Sequence, residues 1–229
     1  MFANDSLADC TAAAAAHMIQ CWTANAGRAF TPTDAEVIAA YSATGRYIPG
    51  DAATDNGAAE LDVLNFWRRQ GIAGHKISAY VAFRAQNFAH TRAAIDLFGG
   101  IYIGLALPLS AQTQDVWDTP SFLSRIFLRG HRAVARLSAR KLAADDTAPG
   151  SWGGHAVPVL AYDADTLTCI TWGAKKRMTW NFFARYCDES YAPLSPDWLT
   201  AQGTDPEGFD FAQLRADLAQ LNAPIQGPR

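Results

Sequence analysis

Two residues far apart in the chain have the chemistry of a nucleophile and its base. Cys10 closes the stretch Asn4-Asp5-Ser6-Leu7-Ala8-Asp9-Cys10 and opens Thr11-Ala12-Ala13-Ala14-Ala15-Ala16-His17-Met18-Ile19-Gln20-Cys21-Trp22. An alanine run without Gly or Pro predicts a helix. Cys10 then falls at its N-terminus, where the positive end of the helix dipole stabilises a thiolate, the nucleophilic form. Far downstream, Gly153-Gly154-His155-Ala156-Val157-Pro158-Val159-Leu160 reads as a glycine turn that delivers a histidine onto an apolar strand. A cysteine on a helix start and a histidine on a strand supply the ion pair of cysteine acyl transfer.

Other chemistries find little support. Neither Cys-x-x-Cys nor His-Glu-x-x-His occurs, so no zinc site is expected. Asp51 to Gly57 is acidic but has the wrong spacing for a calcium loop. Gly99-Gly100 simply precedes a strand, and Gly-x-Ser-x-Gly is missing, which argues against a serine hydrolase. No cofactor and no metal is called for. His17 shares a helix face with Cys10 but lies about 10 Å along the axis at 1.5 Å per residue, too far for direct proton transfer. It reads as a satisfied core histidine, and Cys21 continues that buried stripe. A lone cysteine at a helix start is commonly a small buried hydrophobe; Asn4, Asp9 and Gly153-Gly154-His155 together raise Cys10 above that reading.

The elements that must position these residues follow from periodicity. Residues 10 to 24 form a first helix. Thr33-Asp34-Ala35-Glu36 is a capping box opening a helix to about Ser42, with Gly45 beyond. A loop covers 46 to 58, and a third helix spans Ala59 to Gln70 with Leu61, Leu64 and Trp67 on one face and Gly71 as its stop. Ile77 to Phe83 reads as a strand, Thr91 to Phe98 as a short helix and Ile101 to Leu107 as a buried strand. After Ser151 strands dominate: Ala156 to Tyr162, Leu167 to Trp172 and a hairpin return through Arg177-Met178-Thr179. Asp163-Ala164-Asp165 is the turn between the first two. Phe209, Phe211, Leu214, Leu218 and Leu221 outline a C-terminal amphipathic helix before a tail ending Gly227-Pro228-Arg229.

The chain has 229 residues, 49% of them hydrophobic, with seven tryptophans, ample for a sizeable core. A net charge of −3 implies no preference for nucleic acid or an anionic membrane. The N-terminus shows no basic and apolar leader, and no apolar run approaches the roughly 20 residues needed to span a bilayer. Cys10, Cys21, Cys169 and Cys187 show no paired spacing, so a cytoplasmic protein with reduced thiols is expected.

The sequence resembles the papain-like cysteine peptidases. The likeness rests on the Cys10-led helix ending near Trp22, the His155-Ala156-Val157 triplet and the strand closing in Trp172-Gly173. Asp9-Cys10 followed by a small-residue helix is also similar to the bacteriocin-leader peptidases, a sister branch. The resemblance implies an α+β fold, with a helical lobe over about 1–95 and an antiparallel β lobe over about 96–200 enclosing a cleft. These lobes, with an insertion at 120–147 and a C-terminal helix and tail at 201–229, form a single domain. It implies catalysis by Cys10 and His155, with Asn4 in the place of the side-chain amide of the oxyanion hole. The histidine-orienting Asn of the family corresponds to Ile170 here, or to Thr171 if the strand is shifted by one residue. Asp9, Trp152, Gly153, Gly154 and Trp172 are the residues expected around a substrate cleft. A peptide or isopeptide is the implied substrate, and an intracellular, viral or phage branch the implied setting. The alternative is a catalytically silent papain-like module that binds protein.

Residues 120 to 147 depart from the family pattern. Arg125, Arg129, Arg132, Arg136 and Arg140 share one helical face, and Leu123, Ile126, Phe127, Val134 and Leu137 the opposite one. No Asp or Glu lies between Asp118 and Asp145, so a docking element for a protein or an anionic partner is the sharper expectation and a solvated face the plainer one.

Overall fold

The alanine run becomes the central helix α1, Cys10–Asn25. Its residues from Thr11 to Ile19 are all buried, as is Trp22, so α1 is apolar on every side, as a helix enclosed by other elements must be. Methyl side chains let neighbouring backbones approach closely. The structure, a computed structural model, describes residues 1–119, 144–199 and 213.

Helix α2, Asp34–Gly45, opens on the expected capping box. The Glu36 amide donates to Thr33 Oγ1 at 3.3 Å, and the Thr33 amide donates to Glu36 Oε2 at 2.8 Å. It continues past Ser42 and stops where Arg46 turns left-handed. Helix α3, Glu60–Arg69, buries Val63, Leu64 and Trp67; Leu61, expected on that face, is 44% exposed. A stripe at 63, 64 and 67 follows the 3.6-residue period more closely than 61, 64 and 67. Trp67 stacks on Trp22 of α1 at 5.5 Å, and the Trp22 indole donates to the Gly99 carbonyl at 3.1 Å. Helix α4, Phe88–Phe98, starts before the expected Thr91 because Asn87 Oδ1 accepts the His90 amide.

The strands are β1 Ala79–Ala82, β2 Ile101–Leu107, β3 Val116–Trp117, β4 Gly153–Tyr162, β5 Thr166–Thr171, β6 Ala174–Thr179 and β7 Cys187–Leu194, with helix α5, Trp180–Tyr186, before β7. They form one sheet in the order β1-β7-β2-β4-β5-β6-β3, antiparallel except where β3 runs parallel to β6. The chain is thus α+β, with α1 packed chiefly against β4. One apolar cluster surrounds α1, α2 and α3; a second lies under β2, β4 and α5.

Three sequence expectations change. Gly153 and Gly154 are not a turn but the first residues of β4, paired with Leu107 and Ala106 of β2. Ladder pairing along the whole of β2 extends the strand through both glycines. Cys21 is half-buried rather than core. Helix α5 and strand β7 have no counterpart in the sequence reading. The basic segment expected over 120–147 lies outside the described residues except for a 3-10 turn at Ala144–Thr147, and the helix expected over 209–221 lies outside them apart from Gln213. No helix among the described residues is long and apolar enough to cross a membrane.

Candidate active site

Cys10 is the first residue of α1, and its Sγ accepts the backbone N–H of Ala156 at 3.4 Å. Ala156 follows His155 on β4, so one bond ties the helix start to the strand that carries the histidine. His155 is 8% exposed, and its Nε2 lies 2.6 Å from Thr171 Oγ1 at the end of β5. Strand alternation explains why Thr171 and not Ile170 meets the ring. Cys169 and Thr171 share the face of β5 that meets His155, Val157 and Val159, whereas Ile170 points away, into a second hollow with Met1 and Lys175. With Nε2 engaged, Nδ1 is the ring nitrogen left for proton exchange with Cys10.

Trp172 and Gly173 link β5 to β6 as a two-residue hairpin turn, at φ 47 and φ 71, between the paired Thr171 and Ala174. Such a turn needs positive φ at both central residues; glycine supplies it freely and tryptophan does not. Trp172 nevertheless occupies it and stacks on His155, with ring centroids 4.6 Å apart and planes at 15°. Trp152 and Trp117 pack against Trp172 in turn, at 5.5 Å and 6.2 Å.

Asn4 Nδ2 donates to Asp9 Oδ1 at 3.1 Å, with Leu7 O further off at 3.4 Å. Asn4, Cys10, Gly154, His155 and Trp172 all line one cleft of about 590 Å³. Asp9 sits behind the wall of this cleft with no exposed surface, and Trp152 backs Trp172 rather than lining the cleft; Gly153 is set back as well. Asp163, the carboxylate nearest in sequence, is committed elsewhere: it caps its turn through the amides of Asp165 and Thr166 and pairs with Arg177 at 2.9 Å. His17 is satisfied by Gln20 Oε1 at 2.9 Å.

Glu60, at the start of α3, and Asp188, on β7, also line the cleft, and sequence reasoning missed both. They converge over Gly104 of β2, where a Cβ would come within 2.6 Å of Glu60 Oε1 and 3.0 Å of Asp188 Oδ1. A Cβ there would push the Glu60 carboxylate out of its present position. No local motif marks them, because three separate elements bring them together.

Burial dominates the electrostatics. It pushes the Cys10 thiol up to about 11, aided by the charges of Glu60 and Asp9, and pulls the His155 imidazole down to about 4. The resting pair is therefore a neutral thiol and a neutral imidazole. This corrects the expected helix-start thiolate, since desolvation of a charge outweighs a dipole end worth about 0.3–2 kcal/mol. Burial also raises the Asp9 carboxyl to about 7. Among the described residues, no three His, Cys, Asp or Glu side chains gather as a metal site would require.

No protein-family model and no curated protein matches the sequence. Solved structures are similar in fold. A clostridial cysteine protease, solved after propeptide cleavage, has a TM-score of 0.53 over 82% of this chain and 52% of its own, at 9% identity. A cysteine protease of Carica candamarcensis has a TM-score of 0.49 over 84% of this chain and 91% of its own, at 11% identity. The chain thus spans about half the length of the clostridial structure. These neighbours are cysteine proteases, and the likeness to the clostridial structure shows that the present chain has a papain-like α+β fold.

Proposed function

We propose that this chain is a cysteine hydrolase that cleaves a peptide or isopeptide bond through Cys10 and His155. The observation that carries the reading is the single arrangement in which Thr171 engages His155 Nε2 while the adjacent Ala156 amide holds Cys10 Sγ. With its proton on Nε2 donated to Thr171, the neutral imidazole offers Nδ1 as a base. Cys10 Sγ attacks the substrate carbonyl as its proton passes to Nδ1, and the carbonyl oxygen takes up the negative charge. The Cys10 backbone N–H, at the free end of α1, and an Asn4 Nδ2–H are the donors in reach of such an oxyanion. Collapse expels the amine, which takes the proton back from His155, and water then hydrolyses the thioester. Because the resting pair is neutral, charge separation accompanies attack rather than preceding it.

Glu60 and Asp188 on the cleft wall, with no Lys or Arg among the described residues that line it, favour a substrate bearing a basic side chain beside the scissile bond. Asp9-Cys10 and the small-residue helix support a kinship with the bacteriocin-leader peptidases within the fold. The four cysteines are free, which supports a reducing compartment.

The test is turnover of a mixture of fluorogenic peptides varied at the residues flanking the scissile bond, by the wild type and by Cys10→Ala. Cleavage lost in Cys10→Ala, at an unchanged melting temperature, supports the hydrolase. The neutral, buried Cys10–His155 pair favours the second reading, a silent protein-binding module. Peptides that bind the wild type without being cut, under every condition tried, would establish that reading instead.

A further inference from the structure

Asp9 stands at the N-cap of α1 but makes no side-chain cap bond. An aspartate at that position ordinarily accepts the amide of the second or third helical residue. Here Oδ1 accepts from Asn4 Nδ2 at 3.1 Å, and Oδ2, buried, has no hydrogen-bond partner among the described residues. Leaving such an oxygen unpaired costs on the order of 1–3 kcal/mol. A side chain that forgoes its cap and strands an oxygen is a poor device for stability.

Its one partner explains the sacrifice. Asn4 follows Phe2 and Ala3, two non-glycine residues at φ 58 and φ 64, and its neighbourhood is a tight turn closed by the Ser6 and Leu7 amides on the Ala3 carbonyl. Within that turn only the long contact to the Leu7 carbonyl, at 3.4 Å, favours Nδ2 over Oδ1, and it is the weaker of the two bonds that Asn4 makes. An ionised carboxylate, the form Asp9 takes above about pH 7, favours Nδ2 strongly, because it only accepts: it attracts Nδ2 and repels Oδ1. With one Nδ2–H held on Asp9, the second is free to leave its long contact with Leu7 O and face the cleft that Asn4 lines.

We propose that Asp9 is a positioning residue that sets the orientation of the Asn4 amide, so that an N–H and not the carbonyl oxygen faces the carbonyl attacked by Cys10. The proposal rests on the hydrolase reading above.

The test combines Asp9→Leu, near in shape but without an acceptor, Asp9→Asn, and both in an Asn4→Ala background. With a cleaved fluorogenic peptide at about pH 8 to 9, where Asp9 is ionised, Asp9→Leu should lower kcat about 10- to 100-fold with KM little changed, a fraction of the 10²–10³ that one oxyanion donor supplies. Asp9→Asn, which serves either orientation of Asn4, should fall between. In the Asn4→Ala background, Asp9→Leu should cost nothing further. Alkylation of Cys10 by iodoacetamide forms no oxyanion, so it should not slow in Asp9→Leu; loss of the Asp9 charge, which helps to raise the Cys10 thiol, should speed it modestly while kcat falls. A second readout needs no turnover: the Asn4 side-chain amide resonances should move in Asp9→Leu more than the backbone resonances of Asn4 itself. Unchanged kcat, an equal loss in both backgrounds, or unmoved Asn4 amide resonances would overturn the proposal. A wild type that cleaves no peptide would sink the hydrolase reading alone, and the amide resonances would then decide the role of Asp9. Should Asp9→Leu not fold, Asp9→Asn carries the same comparisons at smaller amplitude.

Discussion

Trp172 lies flat on His155 at 4.6 Å from a left-handed backbone conformation, φ 47, that costs a non-glycine residue about 1–2 kcal/mol. The turn tolerates this because the indole shields the imidazole and is itself braced by Trp152 and Trp117. Strain of this kind persists where surrounding contacts over-determine it. Trp172→Asn, a residue at ease with positive φ, should keep the hairpin and relieve the strain while uncovering His155. Its imidazole should then titrate well above the present value of about 4, moving toward 6.5. Histidine proton resonances followed against pH would measure this, and an unmoved titration would show that Trp172 does not govern His155.

The bond from His155 to Thr171 is short, but its partner carries no charge. A hydroxyl can accept from Nε2–H or donate to Nε2, so it holds the tautomer less firmly than a carboxylate or an amide oxygen. Thr171→Val, which keeps the shape, should lower kcat about 10-fold and leave folding nearly intact. Thr171→Asn should recover part of that loss if the longer side chain reaches Nε2. Unaltered kcat in Thr171→Val would leave the orienting role without an owner at this position.

These residues were legible in the sequence to different degrees. Local periodicity revealed α1, the Thr33–Glu36 capping box and β2, because each pattern is written in neighbouring residues. The two-residue alternation of a strand is what separates Thr171 from Ile170, yet the choice needed the register of β5 against β4. Strand β7 was hidden because Cys-Asp-Glu-Ser-Tyr-Ala-Pro-Leu carries two acids and a proline; pairing with β1 and β2 on its two sides overrides that weak propensity. The neutral state of Cys10 was illegible for the same reason. A helix dipole is local and readable, whereas the burial that defeats it comes with long-range packing, β4 setting its Ala156 amide on Cys10 Sγ.

Glu60 and Asp188 face each other over Gly104 on the wall of the cleft. Both Asp188 and Glu189 raise the Glu60 carboxyl, after burial, which is the mark of carboxylates crowded together without a cation. Substrates with Lys or Arg beside the scissile bond should be preferred over those with Leu or Glu, and the preference should weaken with salt. Glu60→Gln and Asp188→Asn should each erode it several-fold in kcat/KM. Glu60→Gln should also lower the Cys10 thiol, since the Glu60 charge helps to raise it, and so speed alkylation at a fixed pH near 9. Equal rates on basic and acidic peptides would dismiss the carboxylates as specificity elements.

Asp9 and His155 make opposite demands on pH. The Asp9 carboxyl is raised from 3.8 to about 7, so the folded chain binds its proton more tightly than the unfolded one. Its protonated form is therefore favoured in the fold, and stability falls as pH rises from about 4 to 7. The imidazole of His155 is lowered from 6.5 to about 4, so the unfolded chain binds that proton more tightly and stability rises with pH across the same window. The two largely cancel in the wild type. Asp9→Asn removes one arm, and its melting temperature should exceed that of the wild type at pH 8, by the equivalent of roughly 1–3 kcal/mol. At pH 4 the two proteins should melt nearly together, so the variant alone should show a marked loss of stability on acidification. Parallel melting curves for variant and wild type from pH 4 to 8 would show that Asp9 is ionised in both states and does not titrate with folding.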